Sequence, residues 1–282
     1  MTEPPFAPQD NPSRWDVVTL FVTPTVLLGA IFLYPGSEQL LEYKARNPTT
    51  LTVIGSNLAH RSLQHIVSNL IGLWLIGGVG FVFACASQRK RLYYYAFVSY
   101  LTILPFLANP FIRSLLADSP EILATLESVG FSQTAGALVG FLALIIGLFI
   151  HDNLDRYISG LTVSTGVFLS GFTVVFVNFG GDAIALTASA GAGIVVISYL
   201  LWRSRRILDE PVHQAESVRF VIAALFVFYG LLLLLFPKDV GGGFFGHMAG
   251  YLWGYLLPAS GVFASQLYKT ISEKIESFTV VT

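Results

Sequence analysis

The 282-residue chain carries 16 Lys and Arg, 17 Asp and Glu, a formal net charge of −1 and 54% hydrophobic residues. A soluble domain needs a charged surface and is excluded, and with no basic block nothing attracts nucleic acid. One cysteine, Cys85, supports neither a disulfide framework nor a thiolate metal cluster.

The first residues, Met1–Arg14, are polar and proline-rich, without the basic-then-apolar layout of a cleavable signal, so the first span is expected to stay as an anchor. Eight stretches then lack Asp, Glu, Lys and Arg: 17–37, 62–88, 92–112, 128–151, 157–181, 183–202, 220–237 and 240–268. Each approaches or exceeds the roughly 20 residues an apolar helix needs to cross the hydrocarbon core. A β-barrel is excluded, because its strands would alternate over about 10 residues. The expectation is an all-α, polytopic membrane protein with about eight transmembrane helices. Its parts are a cytoplasmic segment 1–16, a membrane domain 17–268 and a cytoplasmic tail 269–282. With both termini inside, Arg89-Lys90-Arg91 and Arg203-Ser204-Arg205-Arg206 face the cytoplasm, as the positive-inside rule asks.

Between the spans, the loop 35–61 carries apolar groups among its charges and is expected to lie partly in the interface. Ser119-Pro120-Glu121 reads as the start of a short helix that Gly130 ends. Tyr93-Tyr94-Tyr95 reads as an interfacial belt. His151, Asp152, Asp155 and Arg156 read as a solvated inner loop, and Gly241-Gly242-Gly243 as a flexible segment after Lys238-Asp239.

Polar groups inside spans are costly and ask for a reason. The second span opens with His60-Arg61-Ser62-Leu63-Gln64-His65-Ile66-Val67-Ser68-Asn69, which puts His65 and Asn69 on one helix face. The fourth opens with Gly130-Phe131-Ser132 and continues through Gly136 and Gly140; the eighth opens with His247 and continues through Gly250 and Gly254. Three distant segments thus bring a serine, imidazoles and an amide to one depth at the outer face. Peptide hydrolysis needs a nucleophile, a base and donors for the oxyanion. Ser132, His247, and His65 with Asn69 can fill those parts. Small residues at Gly136, Gly140, Gly250 and Gly254 let two helices approach closely in lipid.

These motifs resemble the rhomboid intramembrane serine proteases, in a prokaryotic or archaeal type with an added transmembrane hairpin. The family's His-x4-His-x3-Asn pattern reads as His60, His65 and Asn69; its Gly-x-Ser as Gly130-Phe131-Ser132, with Gly140 beyond; its His-x2-Gly-x3-Gly as His247, Gly250 and Gly254. The resemblance implies a six-span core in a prokaryotic cell membrane and a Ser132–His247 dyad. It further implies cleavage of single-helix membrane-protein substrates near the outer face, with no cofactor or metal. The family's usual glycine after the serine is Gln133 here, its acidic residue in the second span is replaced around Phe81, and a Trp-Arg pair in the first outer loop is missing. The runs 157–181 and 183–202 read as the added hairpin, about 157–202. They carry a competing nucleophile, Ser189, which lacks the glycines that flank Ser132.

Three rival functions compete with this reading. A zinc protease using His60, His65 and His247 lacks a His-Glu-x-x-His motif and a carboxylate base. An inactive rhomboid-like protein would bind membrane helices without cutting them; such relatives typically lose the serine or the histidine, and both are present here. A transporter would need inverted repeats or broken helices with paired charges, which the sequence does not suggest.

Overall fold

A computed structural model describes residues 11–44, 47–115, 127–128, 130–153, 160–178, 212–235 and 243–279. Helix α1, Arg14–Leu33, starts with a capping box in which Ser13 and Asp16 satisfy each other's backbone N–H groups. It contains a wide π turn at Val18–Val22. Gly36, at φ +79°, turns the chain into the short α2, Ser37–Leu41. Then come β1, Tyr43–Lys44, and α3, Thr50–Gly55, which Thr49 caps. Helix α4, Leu63–Ala86, starts where Ser62 Oγ accepts the His65 N–H at 3.2 Å.

Helices α5, Lys90–Thr102, and α6, Leu104–Leu115, meet at a 56° bend. Pro105 lies at the bend; it has no N–H to return to the preceding turn. Strand β2, Glu127–Ser128, pairs antiparallel with β1, Tyr43 opposite Ser128 and Lys44 opposite Glu127. The helix expected over this region is therefore absent at Glu127–Ser128, where the backbone is extended. Residues 119–126 lie outside the described residues.

Helix α7, Ser132–Asn153, is the axis of the fold, buried without a break from Ser132 to Ile150. Around it pack α8, Gly160–Asn178, α9, Val212–Leu235, and the long α10, Gly243–Thr279. Gly147 of α7 makes room for the Ser164 backbone of α8. Phe168 of α8 stacks on Tyr251 and Tyr255 of α10 with centroids 4.9 and 4.3 Å apart. Tyr251 donates to the Phe168 carbonyl at 2.8 Å, and the Tyr255 hydroxyl lies 3.0 Å from Ser164 Oγ and 2.8 Å from Thr165 Oγ1. The run 157–181, expected as half of an added hairpin, thus supplies α8, which packs directly on α7 and α10. Run 183–202, with Ser189, lies outside the described residues. The expected tail 269–282 begins as an uninterrupted continuation of α10 as far as Thr279.

Among the described residues, α1, α4 and α7 are long and apolar enough to cross a membrane, and α5 with α6 makes a fourth if the bent pair is one span. At the end of the bundle away from Ser132, charged groups tie helices together. Lys90 meets Asp16 at 2.7 Å, Tyr94 donates to Asp16 at 2.6 Å, and Arg89 donates twice to Asp152, at 3.1 and 3.2 Å. The tyrosine triplet is therefore no belt. Tyr93 is buried and donates to the Gly77 carbonyl at 3.0 Å, Tyr94 serves Asp16, and only Tyr95 faces outward. Asp152 is likewise a helix tie and not a loop residue in water. Phe81, at the family's acidic position, is buried between Phe21 and Tyr93 with its rings edge-on to both.

Candidate active site

The chain enters α7 through Gly130 and Phe131, and this approach is clamped onto α4 and the loop before it. The Gly130 N–H donates to the Ser56 carbonyl at 2.6 Å, and the Phe131 N–H points at His60 Nε2 at 3.5 Å. Gly130 has φ +116°, and a Cβ there would stand 2.6 Å from His65 Nε2 and 3.2 Å from Asn69 Nδ2. Both conformation and space demand glycine. The glycine two residues before the serine is what lets the serine's loop lie against the His65–Asn69 face.

His60 sits beneath this contact, 3% exposed. Its Nδ1–H donates to the Leu58 carbonyl at 3.2 Å, which leaves Nε2 to accept from Asn69 Nδ2 at 2.9 Å. Burial, and after it the neighbouring His65, push the His60 imidazole down to about 4. A neutral ring is what its acceptor role requires. The rings of His60 and His65 meet edge-to-face with centroids 5.1 Å apart. His60 thus orients Asn69, one of whose two amide hydrogens remains for another acceptor.

Ser132 is the first residue of α7, so its backbone N–H falls among those without an intrahelical acceptor, at the positive end of the helix. Helices α7 and α10 then run together along a seam of glycines. A Cβ at Gly136 would overlap the His247 backbone, one at Gly140 the Tyr251 carbonyl, one at Gly250 the Gln133 carbonyl and one at Gly254 the Ala137 backbone. At the top of the seam, a Cβ at Gly246 would rest 3.4 Å from Ser132 Oγ. The seam therefore places Ser132 beside the turn that carries His247. Tyr100 locks it from α5 by donating to the Gly254 carbonyl at 2.6 Å.

His247 Nδ1 lies 2.8 Å from the Leu235 carbonyl at the end of α9. A carbonyl only accepts, so Nδ1 carries the proton and Nε2 bears the ring's lone pair. The structure thus brings His60, His65, Asn69 and Gly130 into one cluster, with Ser132 two residues beyond Gly130 and His247 on the facing helix. Gly136, Gly140, Gly250 and Gly254 make that approach possible. Among the described residues no three His, Cys, Asp or Glu side chains come together as a metal-ligand set.

Sequence reading passed over three groups that shape this site: the Ser56 and Leu235 carbonyls and the Asn109 amide. The carbonyls leave no trace in side-chain identity. Asn109 did, as a lone amide inside the charge-free run 92–112. It accepts from Gln133 Nε2 at 2.7 Å.

No family model, curated protein or solved structure matches the chain.

Proposed function

We propose that this chain is an intramembrane serine endopeptidase of the rhomboid type, cutting single-helix membrane proteins in the bilayer. The observation that carries the reading is the close α7–α10 seam. It sets Ser132 beside the His247 turn while Gly130 presses the same loop against His65 and Asn69. His247 Nε2 takes the proton of Ser132 Oγ as that oxygen attacks the scissile carbonyl. The Ser132 N–H, Asn69 Nδ2 and His65 hold the oxyanion. His247 returns the proton to the leaving amine, and water then hydrolyses the acyl-enzyme. The Leu235 carbonyl holds the imidazole tautomer, the part an aspartate plays in a triad.

The same reading gives the chain eight spans with both termini in the cytoplasm of a prokaryotic cell. The Ser132 end then faces the outer surface, where water reaches the peptide bond.

Labelling with a serine-reactive fluorophosphonate, beside cleavage of a model transmembrane substrate, tests the proposal. Both should be present in the wild type and absent in Ser132→Ala and His247→Ala. Loss of activity in Ser189→Ala with full activity in Ser132→Ala would transfer the nucleophile. A folded wild type that neither labels nor cleaves would point to a protein that binds helices without cutting them.

A further inference from the structure

Directly after Ser132, Gln133 is 2% exposed and so is Asn109 of α6. Their amides share one hydrogen bond of 2.7 Å, and each keeps one buried polar atom, Gln133 Oε1 and Asn109 Nδ2, without a partner. Exchanging O and N in both amides gives the same count, one bond made and one donor and one acceptor over. Such a pair has no packing advantage over two apolar residues, and burying two half-satisfied amides is costly. Its placement supplies the reason.

Gln133 is the second residue of α7, in the turn that carries Ser132 and whose N–H groups lack helical partners. Its carbonyl lies against Gly250 of α10, and a Cβ at Gly246 would stand 3.6 Å from its Cγ. Its amide crosses to α6, the segment that departs by 56° from α5. Backbone and side chain of this one residue thus hold the first turn of α7 to two other helices. Ser132 rotates with that turn.

We propose that Gln133 and Asn109 are positioning residues that set the orientation of Ser132, through a bond made across the bent third span. The inference rests on Ser132 being the nucleophile. The amide pair touches neither substrate nor oxyanion and acts by holding the turn in register. Misplacement of a reacting group by about 1 Å can cost on the order of a hundredfold in rate.

The experiment is a double-mutant cycle on the second-order rate of fluorophosphonate labelling, with Gln133→Met, Asn109→Leu, the double variant and the exchange Q133N/N109Q. Cleavage of a model transmembrane substrate is followed in parallel. The single variants should label about tenfold or more slowly, with kcat falling and KM within about twofold of wild type. The double variant should lose no more than either single one, and the exchange, which keeps two amides of the same summed length, should regain most of the rate. If the apolar variants do not fold, the exchange alone decides. Near-wild-type labelling supports the pair, and labelling slowed tenfold in a protein of unchanged thermal stability overturns it. Unchanged rates in folded single variants, or losses that simply multiply, also overturn it while leaving Ser132 as nucleophile. A wild type that labels at no serine removes both readings together.

Discussion

Gly136 of α7 lies so close to the His247 backbone of α10 that a methyl group on Gly136 would overlap it. Ser132 stands one turn above Gly136 on the same face, so this contact sets how near the serine comes to the histidine's turn. Gly250 and Gly254 make the reciprocal approach, to Gln133 and Ala137.

Gly136→Ala and Gly250→Ala should therefore each separate the helices. Overpacking of this kind costs about 1–3 kcal/mol. A lower unfolding temperature in detergent should accompany reduced fluorophosphonate labelling. Gly261→Ala is the control: it lies on the same helix, a Cβ there meets nothing within 4 Å, and both readouts should stay near wild type.

Gly130→Ala should be damaging without altering Ser132 or His247. Its positive φ costs an L-residue roughly 1–2 kcal/mol, and the added methyl meets His65. Cleavage should fall by on the order of a hundredfold, since the Ser132 loop moves off the Asn69 face. If Asn69 holds the oxyanion as proposed, Asn69→Ala should weaken cleavage by a comparable factor.

His60 gives stability a pH dependence whose sign follows from its environment. Its imidazole is held down to about 4, against 6.5 when free. Above pH 6.5 the ring is neutral in both the folded and the unfolded chain, and its contribution is complete. As the pH falls below 6.5 the unfolded chain takes up the proton first, and the contribution drains away toward pH 4. Unfolding followed from pH 8 to pH 4 should show a loss in the wild type that is smaller in His60→Gln. Equal slopes for the two proteins would remove His60 as the source.

At the opposite end, Asp152→Asn breaks the paired hydrogen bonds from Arg89. Both side chains are about a third exposed, so solvent weakens the pair and the loss should stay under about 1 kcal/mol. The labelling rate of Ser132 should be unchanged, because the pair lies at the far end of α7.

Helical class was legible in the chain because a helix that crosses a bilayer must exclude charge over its whole length, whether lipid or protein surrounds it, and the runs 17–37, 62–88 and 128–151 became α1, α4 and α7. That His65 and Asn69 share one face of α4 was legible because a helix repeats its faces every three or four residues, and both stand against Gly130. The role of 157–181 was not. An apolar run looks the same whether it faces lipid or protein, and only the seating of Ser164 on Gly147 and of Phe168 on two tyrosines makes it core. The tyrosine triplet misled for a similar reason, since a hydroxyl can find water or a buried carbonyl, and Tyr93 found the carbonyl of Gly77.

By itself the sequence determined where charge is absent, that the runs 17–37, 62–88 and 128–151 form long helices and which residues share a helix face, because these depend on local composition and spacing. The tertiary structure alone decided which faces meet. It set His247 Nδ1 on the Leu235 carbonyl, Asn69 on His60, and Gln133 on Asn109. The first and last of those bonds join separate helices, and which partners meet depends on how closely the glycine seam lets α7 and α10 approach, a property of the packed helices and not of any one of them.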